Sequence, residues 1–512
     1  SDRASSPLAR AHVMPCRRPP RALPFLAAAC AILGTLGGAS GDAAADVAGP
    51  GPAEQARDLA KKGFELLGAG DLAAAEERFR AAVELVPQES TFHGYLGAVL
   101  VQRQDHERAE ESLRTALRLD PRDAEMNANL GNVLMTKGDR AGAKSSYRAA
   151  IQINPQSATP RYNLASTLAN AGEYSEAEEH FRAVLKINPG HVRAHFNLGK
   201  VLEHAKDRWG AEESYRSALR IDPKAAHVHA SLGGVLEEAG DAEGARKSYR
   251  ASVKRDAKQP DVQAKLGKLL EKAGDKSGAK KAYVAALKVD PLRADVQSSL
   301  GAILLESGNT EKAEQALNSA LRLDPKLAQA HAVQGDIKAK LSDHEGAARS
   351  YRTALELDPA EVSALAGLGI VLAALGNMSG AEQNLRAAVA TDPERAHSHA
   401  MLGAIHAEQG KMSEAQGSFE SAARLAPGDS NYRLALGTFF IRAEKLKEAE
   451  RVFKDSIEAK PTDAGSHHLL GVVRQKQGDK RGAREEAQTA LRLNPTHYEA
   501  KSLLEELDGT EL

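Results

Sequence analysis

A chain of 512 residues has room for three or four globular domains, yet only 4% of it is aromatic, with one Trp, so any core must be built chiefly from Ala, Leu and Val. Basic and acidic residues number 68 and 69, a balance that leaves no global field for nucleic acid or an anionic membrane, and no nucleic-acid partner is expected. Both cysteines, Cys16 and Cys30, precede residue 46. The remaining chain therefore has no disulfide, no Cys nucleophile and no Cys-based zinc site, and it would tolerate an oxidising compartment.

Residues 1–45 form a leader. No acid occurs between residues 3 and 41, and Arg17, Arg18 and Arg21 precede a weakly apolar run over residues 22–38 that ends in small residues. This pattern predicts a secretory signal peptide processed between residues 39 and 45, and hence an exported protein. Other readings stay open: an uncleaved anchor tethering the chain to a membrane through residues 22–38, an Arg-rich organelle transit peptide, and a cytoplasmic chain. Because residue 1 is Ser, the sequence reads as a fragment or as a chain whose translation starts at Met14. Residues 46–55 read as a linker.

From there the chain repeats. Prolines stand at 87, 121, 155, 189, 223, 291, 325, 359, 393, 427, 461 and 495, always 34 residues apart save for one double gap where Ala257 takes the expected place. Thirteen 34-residue units are thus predicted over residues 56–497, each burying its apolar face only against its neighbours. With proline as position 32, position 20 is Ala in all thirteen units, and position 8 is Gly in twelve and Ala165 in one. Gly inside a helix costs about 1 kcal/mol relative to Ala, so its retention implies a close approach of the unit's two helices. Position 24 is Phe, Tyr or Leu in twelve units, position 27 is mostly Ala, and a Gly-Asp turn such as Gly138-Asp139 separates the helices. Proline at position 32 stops the second helix. Residues 498–507 follow the first-helix pattern with Glu505 in place of the glycine, which predicts a solvating cap within a terminal segment, residues 498–512.

Small residues at 8, 20 and 27, a large one at 24 and proline at 32 resemble the tetratricopeptide repeat family. The resemblance covers 442 of the 512 residues. It implies an all-α, right-handed superhelical solenoid of 27 helices that holds other polypeptides on its concave face without catalysing a reaction. Units such as His195-Phe196-Asn197-Leu198-Gly199 are most similar to those of O-linked N-acetylglucosamine transferases. That similarity implies an alternative function, the substrate-binding region of such a transferase without its catalytic domain.

The chemistry that would make this chain an enzyme is not legible in it, and no cofactor or metal is expected. His recurs at position 4 (His93, His195, His229, His331, His399, His467), which reads as a half-buried packing residue. His191 and His195 are four apart but span the proline turn, with no HExxH pattern. Gly367-Leu368-Gly369 falls inside a first helix with no strand before it, so it is no dinucleotide fingerprint. The sequon Asn377-Met378-Ser379 lies in an interhelical turn.

Partners are expected on the first helices, which the family resemblance places on the concave side; positions 2, 6, 9 and 13 share one stripe. Position 6 is Asn129, Asn163 and Asn197 in units three to five, with Asn132 at position 9 of the first. Such amides offer donors and acceptors to an extended peptide backbone, as similar asparagines do in the transferase repeats. In units nine to thirteen the same positions turn largely apolar: Val333, Gly367, Met401, Ala435 and Leu469 at 6, with Ile370, Ala404 and Val472 at 9. That stretch suggests a helical or hydrophobic ligand, or self-association. Between them residues 246–288 hold thirteen basic and four acidic residues, and Lys265, Lys268 and Lys272 occupy positions 6, 9 and 13 of one helix. They are expected to face acidic peptide segments, with Glu238 and Glu306 the nearest acids. Arg255 and Ala257, which break the pattern in the same stretch, predict a looser joint there.

Overall fold

The computed structural model describes residues 51–509. These hold 27 α-helices and no strand, in two compact units divided after Lys258. The first takes in repeats 1–6 and the second repeats 7–13 with the terminal helix Tyr498–Gly509. The division falls beside Ala257, where position 32 lacks its proline. The leader and residues 510–512 lie outside the described residues.

Within each unit the chain alternates a first and a second helix, the second always 14 residues long, as in Leu72–Leu85 and Lys480–Leu493. The first helix of all runs Pro52–Ala69, so residues 52–55 are helical rather than linker. Gly51 and Pro52 start it, proline fitting the first helical turn because its missing amide hydrogen would be unpaired there anyway.

Every interhelical turn passes through the left-handed region at position 15. Nine of these residues are Gly, with φ from 74° to 88°, and four are Gln104, Lys206, Ser342 and Glu444 near 60°. In ten of the thirteen repeats the next residue caps the second helix with its side chain: the Asp139 carboxylate, for example, accepts from the Gly142 amide at 2.9 Å, whereas Glu173, Lys411 and Lys445 make no such bond. Position 4 closes the other end of the repeat. Nε2 of His93, His195, His229, His331 and His399 lies 2.9–3.1 Å from the carbonyl of the proline six residues earlier. The recurrent histidine thus bonds the carbonyl of the turn proline that follows each second helix, a more specific role than packing.

The core repeats with the sequence. All thirteen position-20 alanines are 0% exposed. A Cβ on Gly131, Gly199, Gly233, Gly267 or Gly335 would lie within 2.4–2.5 Å of the ring of the position-24 tyrosine in the same repeat. Position 8 is therefore glycine because the large position-24 side chain of the second helix presses on it: a ring in these repeats, and Leu113 and Leu385 at 2.7 Å from a Cβ on Gly97 and Gly369. Where the large residue is Leu317, the site relaxes: the nearest atom to a Cβ on Gly301 is the Ala313 carbonyl oxygen at 3.3 Å. Successive repeats are also stitched by ion pairs from position 21. Glu76, 2% exposed, takes Arg80, Arg103 and Arg108, and Glu382, 7% exposed, takes Arg386 at 2.6 Å and Lys411 at 2.7 Å.

Candidate functional site

The first helices of successive repeats pack directly on one another, from repeats 2 to 5 in the first unit and from repeat 8 to the terminal helix in the second. Second helices make their principal contacts with the first helices on either side. First-helix contacts of this kind leave positions 2, 6, 9 and 13 as the outward stripe of each stack.

In the first unit this stripe carries the asparagines. Asn132 is the hub: its Oδ1 accepts from the Tyr147 hydroxyl at 2.9 Å and from Asn163 Nδ2 at 2.8 Å. Both lone pairs of that oxygen are thereby used, and the amide planes of Asn132 and Asn163 are held. Asn132 Nδ2 and Asn163 Oδ1 have no partner in the chain, nor has the Asn129 amide, and all three residues are half-buried. Asn197 differs. It is 0% exposed, its Nδ2 donates to the Tyr162 hydroxyl at 3.1 Å, and its Oδ1 is buried with no partner. The expectation that Asn197 continues the ladder is corrected on this ground: enclosed between helices, it braces the stack beneath the stripe.

In the second unit Lys265, Lys268 and Lys272 are all exposed on the helix Pro260–Lys272. None has an ion pair within 4 Å. The two acids expected nearby are engaged elsewhere, Glu306 with Lys276 at 3.0 Å and Glu238 with Arg208 at 3.8 Å. A third acid shares the lysine helix. Glu271 accepts from the Tyr283 hydroxyl at 2.7 Å, and burial raises its carboxyl above the usual range. Farther along, the apolar positions are mostly covered by their neighbours: Val333 and Gly367 are buried, Met401, Ala435, Leu469, Ala404 and Val472 half-buried, and only Ile370, at 39%, is exposed.

A tyrosine-held polar group recurs along this stripe. Tyr147 holds Asn132, Tyr249 holds Glu237 and Tyr283 holds Glu271, while Tyr351 holds Asp336 at 2.6 Å. Sequence reasoning missed it, although a signal was present. Each repeat with Tyr at position 24 has an amide or acid at position 9 or 12, and Phe79, Phe181, Phe419 and Phe453 stand in repeats that lack one, while repeat 13 pairs Gln475 with Ala487.

Other candidates resolve into structure. His191 Nδ1 accepts from the Ala194 amide at 3.1 Å while His195 reaches the Pro189 carbonyl, so the two rings serve different backbone groups. Asn377 caps a second helix through Gly380, with its residue exposed. Among the described residues no helix is long and apolar enough to cross a membrane. Residues 22–38, the predicted tether, lie outside them.

Within each unit, a stack of helix pairs that presents a chemically varied face makes a helical-repeat solenoid, whose working surface is extended rather than enclosed. Residues 61–158, 162–260 and 264–328 match the tetratricopeptide repeat model, just over half of the chain, and residues 329–507 match the cilia and flagella-associated protein 70 C-terminal domain. The chain belongs to the tetratricopeptide repeat family. No curated protein matches it significantly. Among solved structures it is similar to the APC/C hetero-tetramer Cut9-Hcn1 (15% identity, 88% of this chain and 96% of that one, TM-score 0.44). It is also similar to YrrB, described as a TPR protein with an unusual peptide-binding site (23%, 37% and 97%, TM-score 0.34), and to Pseudomonas aeruginosa pilF (25%, 42% and 97%, TM-score 0.36).

Proposed function

We propose that the protein is a non-catalytic scaffold that holds extended peptide segments of other proteins on its first-helix faces. The observation that carries this reading is the Asn132–Asn163 pair. Two bonds lock its geometry and leave one amide donor and one amide oxygen unengaged, with Asn129 beside them. A donor and an acceptor fixed side by side match the alternating N–H and C=O groups of an extended backbone whatever its side chains. In the second unit the three unpaired lysines supply point charges for an acidic segment, an interaction that salt should weaken.

A random peptide library displayed on phage and selected on the full chain supplies the probes. Peptides that need the asparagine face should lose about tenfold in affinity with Asn129→Ala and Asn163→Ala together, and lose no more when their own backbone is N-methylated at the matching bond. Unchanged affinity in the double variant for every selected peptide would remove the asparagines from the proposal.

A further inference from the structure

Across positions 6 and 9 of repeats 8–13 a single residue is charged, Asp336. Its surroundings are those of Asn132 six repeats earlier, with one difference. In both repeats a buried tyrosine donates to the position-9 side chain, Tyr147 to Asn132 and Tyr351 to Asp336. In both, that tyrosine lies over a position-8 glycine, Gly131 and Gly335. The difference lies in the following repeat. Asn163 supplies the second donor to Asn132, at 2.8 Å, whereas repeat 10 has Gly367 at that position and supplies none. The tyrosine requires this glycine, since a Cβ on Gly367 would lie 2.7 Å from the Tyr351 hydroxyl oxygen.

Asp336 is therefore a half-buried carboxylate with one donor where its counterpart has two. The nearby cations do not complete it. Lys340, one turn along the same helix, donates to the Leu305 carbonyl at 2.9 Å, and Arg395 donates to the Ser363 hydroxyl at 3.4 Å. Neither forms an ion pair with Asp336 within 4 Å. On the same stripe Val333 stands one turn before it and Ile370 at position 9 of the next repeat, while Glu306 and Glu361 act on it as like charges. A carboxylate so placed is costly unless a donor, best a charged one, meets it.

We infer that Asp336 is a recognition point for one ammonium or guanidinium group carried by an otherwise apolar partner segment. This rests on the peptide-scaffold reading above and gives it a specificity. The methylenes of a lysine or arginine lie toward Val333 and Ile370, and the cationic head takes the oxygen of Asp336 that Tyr351 leaves open. The apolar residues alone would accept any hydrophobic side chain; the carboxylate selects the one that ends in a cation.

The test uses the same displayed library on the full chain and on Asp336→Asn, an isosteric change that keeps an acceptor for Tyr351 and copies Asn132. Selection on the native chain should enrich peptides with a single Lys or Arg flanked by apolar residues, and the variant should lose that basic preference. For the best such peptide, fluorescence polarisation should show at least about tenfold weaker binding when its Lys is acetylated, and no such discrimination by the variant. Equal binding of the two peptides by the native chain, or discrimination that survives Asp336→Asn, overturns the inference and leaves the scaffold reading standing. Failure to enrich any peptide overturns both. Circular dichroism melts of the variant guard against loss by unfolding, and Tyr351→Phe, which frees Asp336 entirely, should retain the preference for the basic peptide.

Discussion

Repeats 3 and 9 share a tyrosine lying on a glycine and reaching a position-9 side chain, and they put different chemistry on it. In repeat 3 the held group is the amide of Asn132, joined by Asn163, and the neighbouring stripe is polar. In repeat 9 it is the carboxylate of Asp336, followed by Gly367, with Val333 and Ile370 at the adjoining positions 6 and 9. The packing thus accepts an amide or a carboxylate at position 9, while the tyrosine dictates position 6 where Gly367 makes room for it. A solenoid can vary its recognition from repeat to repeat at little cost to its stacking.

The sharpest way to break that comparison is to attack the shared part. Gly131→Val and Gly335→Val each push a branched side chain into a tyrosine ring that already lies 2.5 Å from where the Cβ would stand, and each should destabilise its own region by about 3 kcal/mol in urea unfolding. Gly301→Ala is the control. With no ring above it, the strain at the Ala313 carbonyl is offset by the roughly 1 kcal/mol that Ala gains over Gly in a helix, so its effect should be near zero. If Gly301→Ala cost as much as the other two, the glycine column would owe its identity to something other than the aromatic ring.

A smaller effect is expected from the position-21 acids, one in each unit. Removing Glu76 leaves Arg80, Arg103 and Arg108 facing each other, and removing Glu382 leaves Arg386, Lys411 and the buried His406. Each change to Ala should cost about 1–3 kcal/mol, less than for a fully buried pair because the cations are partly exposed. Bonding to Lys411 holds the Glu382 carboxyl down at about 2, against 4.5 for the free side chain. Its stabilising contribution is therefore complete above pH 4.5 and lost as pH falls toward about 2. Melting temperatures of the native chain and Glu382→Gln should converge over that window; a constant difference would mean that the carboxylate's charge does not matter.

Much of this was legible in the sequence because repetition supplies its own alignment. The period, the alanine and glycine positions, the turn and the proline each recur often enough to identify the helix pair, and the count of 27 helices followed. What one repeat does differently was harder to read. Asn197 shares position 6 with Asn129 and Asn163, yet Tyr162 sits beneath it and draws it inside. The lysines are exposed on their helix, but Glu271 at position 12 falls outside the 6, 9 and 13 spacing, and only the Tyr283 bond brings it to the same face. Periodicity assigns a residue to a stripe. Whether it faces outward depends on the neighbouring repeat's side chains, which vary.

The binding effects come next in size. Charge reversal of Lys265, Lys268 and Lys272 to Glu should abolish capture of acidic peptides and remove its salt dependence while leaving peptides bound through Asn129, Asn132 and Asn163 unaffected. Replacing the asparagines should do the converse. Reciprocal loss, measured by polarisation with one peptide of each kind, would separate the two faces; a lysine variant that weakened both would show that a single ligand runs over them.

The finest distinction between repeats 3 and 9 is their response to acid. The amides of Asn132 and Asn163 do not titrate, so peptide binding there should be flat with pH wherever the chain stays folded. Asp336 does titrate, and burial raises its carboxyl above the ordinary 3.8, with Glu306 and Glu361 pushing the same way against the Tyr351 bond and Arg395. A raised value means that the proton returns earlier on acidification, so the carboxylate is lost at a higher pH than a free Asp would lose it. Affinity for a basic, apolar peptide should then begin to fall while pH is still above 3.8, before Glu382 has lost its charge. The bound cation opposes this by favouring the carboxylate, so the midpoint should move lower as peptide concentration rises. Asp336→Asn should abolish the pH dependence together with the preference for the basic peptide. If the fall in affinity persists in that variant, the titrating group belongs to another residue, and the acid response offers no support for the difference between the two repeats.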